Sequence, residues 1–142
     1  MIGIEFKAND LTPDEQRVVT EGFARHSTER SAPDFNKRRV SWVAVDSNQR
    51  VVGALTADLL WDWIYIDELW VDEESRGTGL GKKLMQQAEE YAVSNNLRGL
   101  WLWTQSWQAA DFYTQLGYEE FARFEDFPKG HSRIGFRKQL AR

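Results

Sequence analysis

The stretch IYIDELWVDEESRGTGLGKKLMQQAEEY, from Ile64 to Tyr91, constrains this chain more than any other. It reads as an apolar strand, a short acidic turn, a glycine-rich loop and a long amphipathic helix. Gly77, Gly79 and Gly81 fall where the chain leaves the turn and enters the helix. Glycines there let backbone N–H groups approach an anion closely, and the helix start adds its own partial positive charge. The stretch is a phosphate cradle in outline. Its helix carries Leu80, Leu84, Ala88, Tyr91 and Ala92 on one stripe, which needs a sheet to cover it.

Other functions are narrowed by composition. A net charge of −4 over 142 residues argues against a nucleic-acid binder working through a broad basic face. With no cysteine, disulfides, thiolate catalysis and Cys-rich zinc sites are excluded. The two histidines lack metal-ligand spacing, so no metal is expected. No apolar run reaches membrane-spanning length, and the N-terminus lacks a basic-then-apolar signal pattern, so a cytoplasmic protein without a membrane partner is expected. No linker or repeat interrupts the chain, and residues 1–142 read as one domain.

Along the chain, Ile2, Ile4 and Phe6 alternate as in a half-buried strand. Thr12, Pro13 and Glu15 signal a helix start. That helix is expected to reach about His26, with Val18, Val19, Gly22 and Phe23 inward, followed by a polar loop over 27–38. Strands follow over 40–45, 51–60 and 64–71, then the glycine loop and its helix, which Asn95-Asn96 ends. Residues 100–104 form a further strand, 108–116 a short helix stopped by Gly117, and 119–127 with 131–140 a closing hairpin.

Two nucleotide readings of the glycine loop fail on register. A Walker loop placed with its second glycine at Gly81 meets Arg76 at the first glycine and Lys83 at the hydroxyl position. The dinucleotide fingerprint, begun at Gly77 and Gly79, meets Lys82 at its third glycine and lacks a surrounding βαβ unit. Arg76-Gly77-Thr78-Gly79-Leu80-Gly81 instead matches a Q/R-x-x-G-x-G/A signature, preceded by ELWVDEES. Gln108 to Tyr118 (QAADFYTQLGY) matches a second motif, A-x-x-F-Y-x-x-x-G-F. Together they resemble the GNAT (GCN5-related N-acetyltransferase) superfamily, and the resemblance spans nearly the whole chain. It implies an α/β (α+β) fold, with a mixed, mostly antiparallel sheet of about six or seven strands, about four flanking helices, and strands 4 and 5 splayed.

The resemblance also implies a site. Acetyl-CoA would be the cosubstrate, its pyrophosphate held by backbone N–H groups of Arg76, Gly77, Thr78, Gly79, Leu80 and Gly81, with Arg76 and Lys82 as charge partners. Leu69, Trp70 and Val71 would offer free backbone to the pantetheine arm, which requires Ile64–Val71 and Leu100–Thr104 to diverge. Ala110 and Phe112 belong to the second motif. Trp107 stands where many family members carry an arm-binding Asn, so apolar packing, Gln105 or Gln108 must replace that contact. Tyr113 is the candidate general acid, since a phenol of pKa ~10 stays protonated at neutral pH; its spacing from Ala110 and Leu116 equally suits a packing residue. Asp67, sharing a strand face with Tyr65, Leu69 and Val71, is the first candidate base; Glu68 is the second, since it would take Asp67's place only if a bulge reversed the alternation.

The acceptor expected is the primary amine of a small molecule, cationic if Asp58, Asp62, Asp67 and Glu68 form an acidic pocket with Trp61, Trp63 and Trp107. A peptide amine is the alternative acceptor. A coenzyme A sensor without catalysis and a nucleotide-binding regulator are rivals of other classes. Homodimerisation, common in the family, would use the exposed C-terminal hairpin.

Overall fold

The computed structural model describes residues 1–140, which fall into two compact units, one of residues 1–35 and one beginning at Asn36. In the first unit, helix α1 spans Pro13–Glu29. The Thr12 hydroxyl accepts from the Glu15 N–H at 3.2 Å, while the Glu15 carboxylate accepts from the Thr12 N–H at 2.8 Å. That reciprocal pair satisfies two helix-start donors. Lys7 first, and then the Thr12 N–H, hold the exposed Glu15 carboxyl down at about 2.

Two expectations for this unit need correction. Residues 2–7 form no strand, and Ile2, Ile4 and Phe6 are almost fully exposed. Alternation marks a face but supplies no hydrogen-bonding neighbour, and this unit contains no second strand. The helix also passes His26 to Glu29, where the Thr28 hydroxyl donates to the Ala24 carbonyl at 3.0 Å, so the polar run there does not break it. None of its residues is buried, and Phe23, expected inward, is 70% exposed.

The second unit holds strands β1 (Lys37–Val45), β2 (Val51–Leu60), β3 (Trp63–Val71) and β4 (Gly99–Gln105), with β5 (Glu119–Glu125) and β6 (Ser132–Gln139). Helix α2 (Leu80–Ser94) follows β3, and the single-turn-and-a-half α3 (Ala110–Gln115) follows β4. The six-stranded sheet has the order β1-β2-β3-β4-β6-β5. All neighbours are antiparallel except β3 and β4. The fold is the mixed, mostly antiparallel α/β arrangement expected, with three α-helices among the described residues rather than about four.

One sheet face carries the core. Leu55, Ala57 and Leu59 of β2, Ile64 and Ile66 of β3, and Leu100 and Leu102 of β4 meet Leu84, Met85, Ala88 and Ala92 of α2. Each large aliphatic side chain buried there contributes about 1.5–3 kcal/mol. Met85 is fully buried although the stripe read from sequence omitted it. The helix lies against a sheet, so its buried arc is wider than a single row. Gly99 is required where β4 meets β6, because a Cβ there would overlap the Lys138 carbonyl. No helix among the described residues is long and apolar enough to cross a membrane.

Pairing of β3 with β4 runs only from Trp63–Gly99 to Ile66–Leu102, although β3 continues to Val71 and β4 to Gln105. A cause is visible one strand away. The β2–β3 register jumps between Thr56–Glu68 and Ala57–Ile66, which leaves Asp67 as the extra residue of a β-bulge. A bulge bends its strand and increases twist. The two parallel strands part where that bulge sits.

Candidate active site

The wedge between β3 and β4 opens into a cleft of about 1170 Å³. Its walls are Ile66–Val71, the loop and helix start from Ser75 to Lys82, the end of β4 from Leu102 to Thr104, and residues between Trp107 and Tyr113. Leu69, Trp70 and Val71 pair with Leu55, Ala54 and Gly53 on the β2 side. Their opposite backbone edge has no strand partner and faces the cleft.

At one end of the cleft lies the glycine loop. A short 3-10 turn, Glu73–Ser75, leads into it, and Gly77 and Gly79 hold φ of 76° and 85°. Only glycine adopts that region without strain. Gly81 differs: its φ is ordinary, and a Cβ there would rest 3.5 Å from the Phe112 ring. Arg76 Nε donates to the Val71 carbonyl at 3.1 Å and Thr78 Oγ1 to the Ser75 carbonyl at 2.5 Å, tying the loop to the strand end. Gly79 caps α2 without a side chain, so the N–H groups of Leu80, Gly81 and Lys82 begin a helix with no intrahelical acceptor. Lys82 lines the cleft beside them, whereas Thr78 and Ala110 lie outside its lining.

Tyr113 lines the opposite wall and is only 7% exposed. Its ring packs on Phe112, Tyr118 and Phe136 at centroid distances of 5.1, 6.0 and 5.9 Å. Burial pushes the phenol up to about 12. The hydroxyl bonds to no described residue, yet among these residues no buried polar side-chain atom lacks a partner. The oxygen therefore reaches the open space of the cleft.

The carboxylates are arranged differently from expectation. Because Asp67 is the bulged residue, Leu69 and Val71 turn to the core face with Ile64 and Ile66, while Tyr65 stays on the other. The expected sharing of one face by Asp67, Tyr65, Leu69 and Val71 is thus broken. Arg39 Nη2 lies 2.8 Å from Asp67 and 3.5 Å from Glu68, and Arg39 Nη1 lies 3.2 Å from Asp58. Asp67 first and Asp58 second raise the Arg39 guanidinium further above its ordinary value. Glu68 also accepts from the Thr56 hydroxyl at 2.9 Å. Asp62 pairs with Arg98 at 2.7 Å, and neither it, Asp58, Trp61 nor Trp63 lines the cleft. The acidic, aromatic pocket inferred from sequence is not assembled.

Trp107 lies at the cleft rim, 56% exposed, with its ring edge-to-face on His131 at 4.8 Å. Gln108 Oε1 accepts from the Gln105 N–H at 2.9 Å and the Thr104 hydroxyl at 3.2 Å, and Gln105 Nε2 donates to the Phe127 carbonyl at 2.8 Å. These bonds dock the β5–β6 turn on the loop before α3. Beside them lies a second, open cavity of about 470 Å³, which shares Trp103, Thr104 and Gln108 with the cleft. Sequence reasoning missed Trp103, Thr104, Ser75 and Arg133. Trp103 falls inside the strand expected over 100–104, but its neighbours depend on β6 entering between β4 and β5. Among the described residues, no group of three or more His, Cys, Asp or Glu is disposed to hold a metal ion.

The sequence profile of the Acetyltransferase (GNAT) family matches residues 8–118. Blasticidin-S acetyltransferase of Streptomyces morookaense is 37% identical over 81 residues, which cover 56% of this chain and 60% of that relative's length. The crystal structure of an acetyltransferase from Bacillus cereus superposes with a TM-score of 0.82 at 30% identity, covering 95% of this chain and 98% of that one. A chain assigned as a streptothricin acetyltransferase from Bacillus anthracis, solved with acetyl coenzyme A, gives 0.65 at 23% identity, covering 72% of this chain and 63% of that one. At that identity the likeness speaks for the fold.

Proposed function

The chain belongs to the GNAT acetyltransferase family, and from that premise we propose that it transfers the acetyl group of acetyl-CoA to the primary amine of a small acceptor by direct attack, with Tyr113 as general acid. The observation that carries this reading is the wedge itself. A strand edge with no strand partner, a glycine loop at a helix start and a buried phenol all open into one cleft. The residues fit the cosubstrate: the left-handed Gly77 and Gly79 and the helix-start N–H groups suit a pyrophosphate, with Lys82 as counter-charge.

The exchange of bonds sets what the residues must do. An N–C bond forms as the C–S bond breaks, and the proton given up by the amine ends on sulfur. Backbone N–H groups along Leu69–Val71 stabilise the carbonyl oxygen as it gains charge. Tyr113 stays protonated, and a phenol at about 12 is a weaker acid than a thiol of ~8.5. Its contribution is therefore a hydrogen bond that tightens as negative charge grows on sulfur, with proton delivery completed as the nitrogen releases its own. For the acceptor side, Asp67 is occupied by Arg39, while Glu68 has a side chain 70% exposed and only a hydroxyl and a longer Arg39 contact to hold it. Glu68 is the better placed of the two to orient or deprotonate an amine, directly or through water.

Replacing Tyr113 by Phe tests the assignment. Acetyl-CoA should bind within about twofold of wild type while turnover falls at least tenfold. Undiminished turnover would remove the acid role, and tight binding without turnover in wild type would favour a coenzyme A sensor.

A further inference from the structure

Acetyl transfer leaves the second cavity, and the arginine inside it, without a task. Register places Arg133 of β6 opposite Gln105 of β4 and Phe124 of β5, on the sheet face away from α2. Its guanidinium carbon lies 5.6 Å from the Trp103 ring centre and 5.5 Å from that of Phe127. Held between two aromatic rings, a guanidinium keeps its charge, loses rotational freedom and still presents a planar edge of donors.

Among the described residues, no carboxylate lies within 4.0 Å of Arg133. Asp126, which lines the same cavity, is engaged by the Gly130 N–H at 3.1 Å. Burial and then Asp67 raise the nearby Tyr65 phenol, while the Arg133 guanidinium opposes them by its charge and by a side-chain hydrogen bond to that phenol, which leaves its other donors for a ligand. The contrast with Arg39, which is saturated by Asp58, Asp67 and Glu68, is direct. The cavity lies beside the cleft, with Trp103, Thr104 and Gln108 lining both.

We propose that this cavity seats the acceptor and selects amines that also carry a carboxylate, which the Arg133 fork grips while Trp103 and Phe127 cover the acceptor's apolar part. The role of the amine rests on the acetyl-transfer reading; the grip on the carboxylate does not. Carboxylate recognition by an oriented guanidinium is bidentate and charge-assisted, and a site built for it discriminates strongly against the analogue lacking it.

Matched pairs differing by that one group provide the test: phenylalanine with phenethylamine, tryptophan with tryptamine, and β-alanine with ethylamine. For each pair, equilibrium binding by isothermal titration calorimetry and thiol release with acetyl-CoA are measured on wild type, Arg133→Gln and Arg133→Lys. At least one pair should favour its carboxylated member tenfold or more in binding to wild type. That preference should fall to within about twofold in Arg133→Gln and be intermediate in Arg133→Lys, whose ammonium keeps charge but not the fork. Equal binding within every pair, a preference untouched by Arg133→Gln, or no binding at millimolar concentration overturns the proposal. A carboxylate preference in binding with no thiol release from any acceptor supports the cavity assignment and counts against acetyl transfer.

Discussion

Arg39 and Arg133 stand on the same face of the sheet and differ in what surrounds them. Arg39 is spent on three carboxylates, so Asp67 and Glu68 belong to a local ion-pair group before they belong to any substrate. Tyr113 is set apart by burial among rings, which raises its phenol to about 12 from the usual ~10. A raised folded-state value means the folded protein keeps this proton after the unfolded chain has lost it. Its stabilising effect is intact below pH ~10 and is lost as pH climbs toward 12, amounting to about 2–3 kcal/mol at most. In denaturant melts between pH 9 and ~11.5, wild type should therefore lose stability more steeply with pH than Tyr113→Phe. Parallel declines would show that the phenol does not titrate with folding. Over the neutral range Tyr113 should contribute no pH dependence to turnover.

At the scale of elements, one inserted residue shapes the site. The bulge at Asp67 turns Leu69 and Val71 back to the core face, keeps Asp67 beside Arg39, and bends β3 away from β4. Deleting Asp67 would restore a regular β2–β3 ladder with Ile64, Ile66, Leu69 and Val71 still alternating onto one face. The variant should fold with a melting temperature within a few degrees of wild type, yet bind acetyl-CoA at least tenfold more weakly because the wedge narrows. Unaltered affinity would mean the splay has another origin. The strands, the α2 stripe and the glycine loop were legible because each rests on local pattern: period two, period 3.6, and glycine at a helix entry. The bulge was not legible. Alternation over IYIDELWV reads smoothly through Asp67, and only the partner strand reveals that one residue is extra. For the same reason the acidic pocket was wrongly composed, since Asp58 and Asp62 find basic partners far away in sequence.

For the molecule as a whole, the cleft depends on how the sheet is ordered. β6 enters between β4 and β5, carrying Arg133 to Trp103 and docking the Phe127–His131 turn on the loop before α3. No local sequence signal reports that order, so the second cavity was invisible until the strands were placed. The N-terminal residues teach the complementary lesson. Ile2, Ile4 and Phe6 have the right alternation and no strand to pair with in their unit, whereas α1 forms from its own capping box and leading proline. On the proposed function, the wedge between β3 and β4 receives acetyl-CoA along a strand edge and at a helix start. Amide hydrogen exchange with and without saturating acetyl-CoA tests it most directly. Slowed exchange should concentrate at Leu69–Val71 and at residues 77–82, with the β1–β2 amides unchanged. Binding that leaves those two segments unprotected, or protects only sites outside the cleft, would contradict the account.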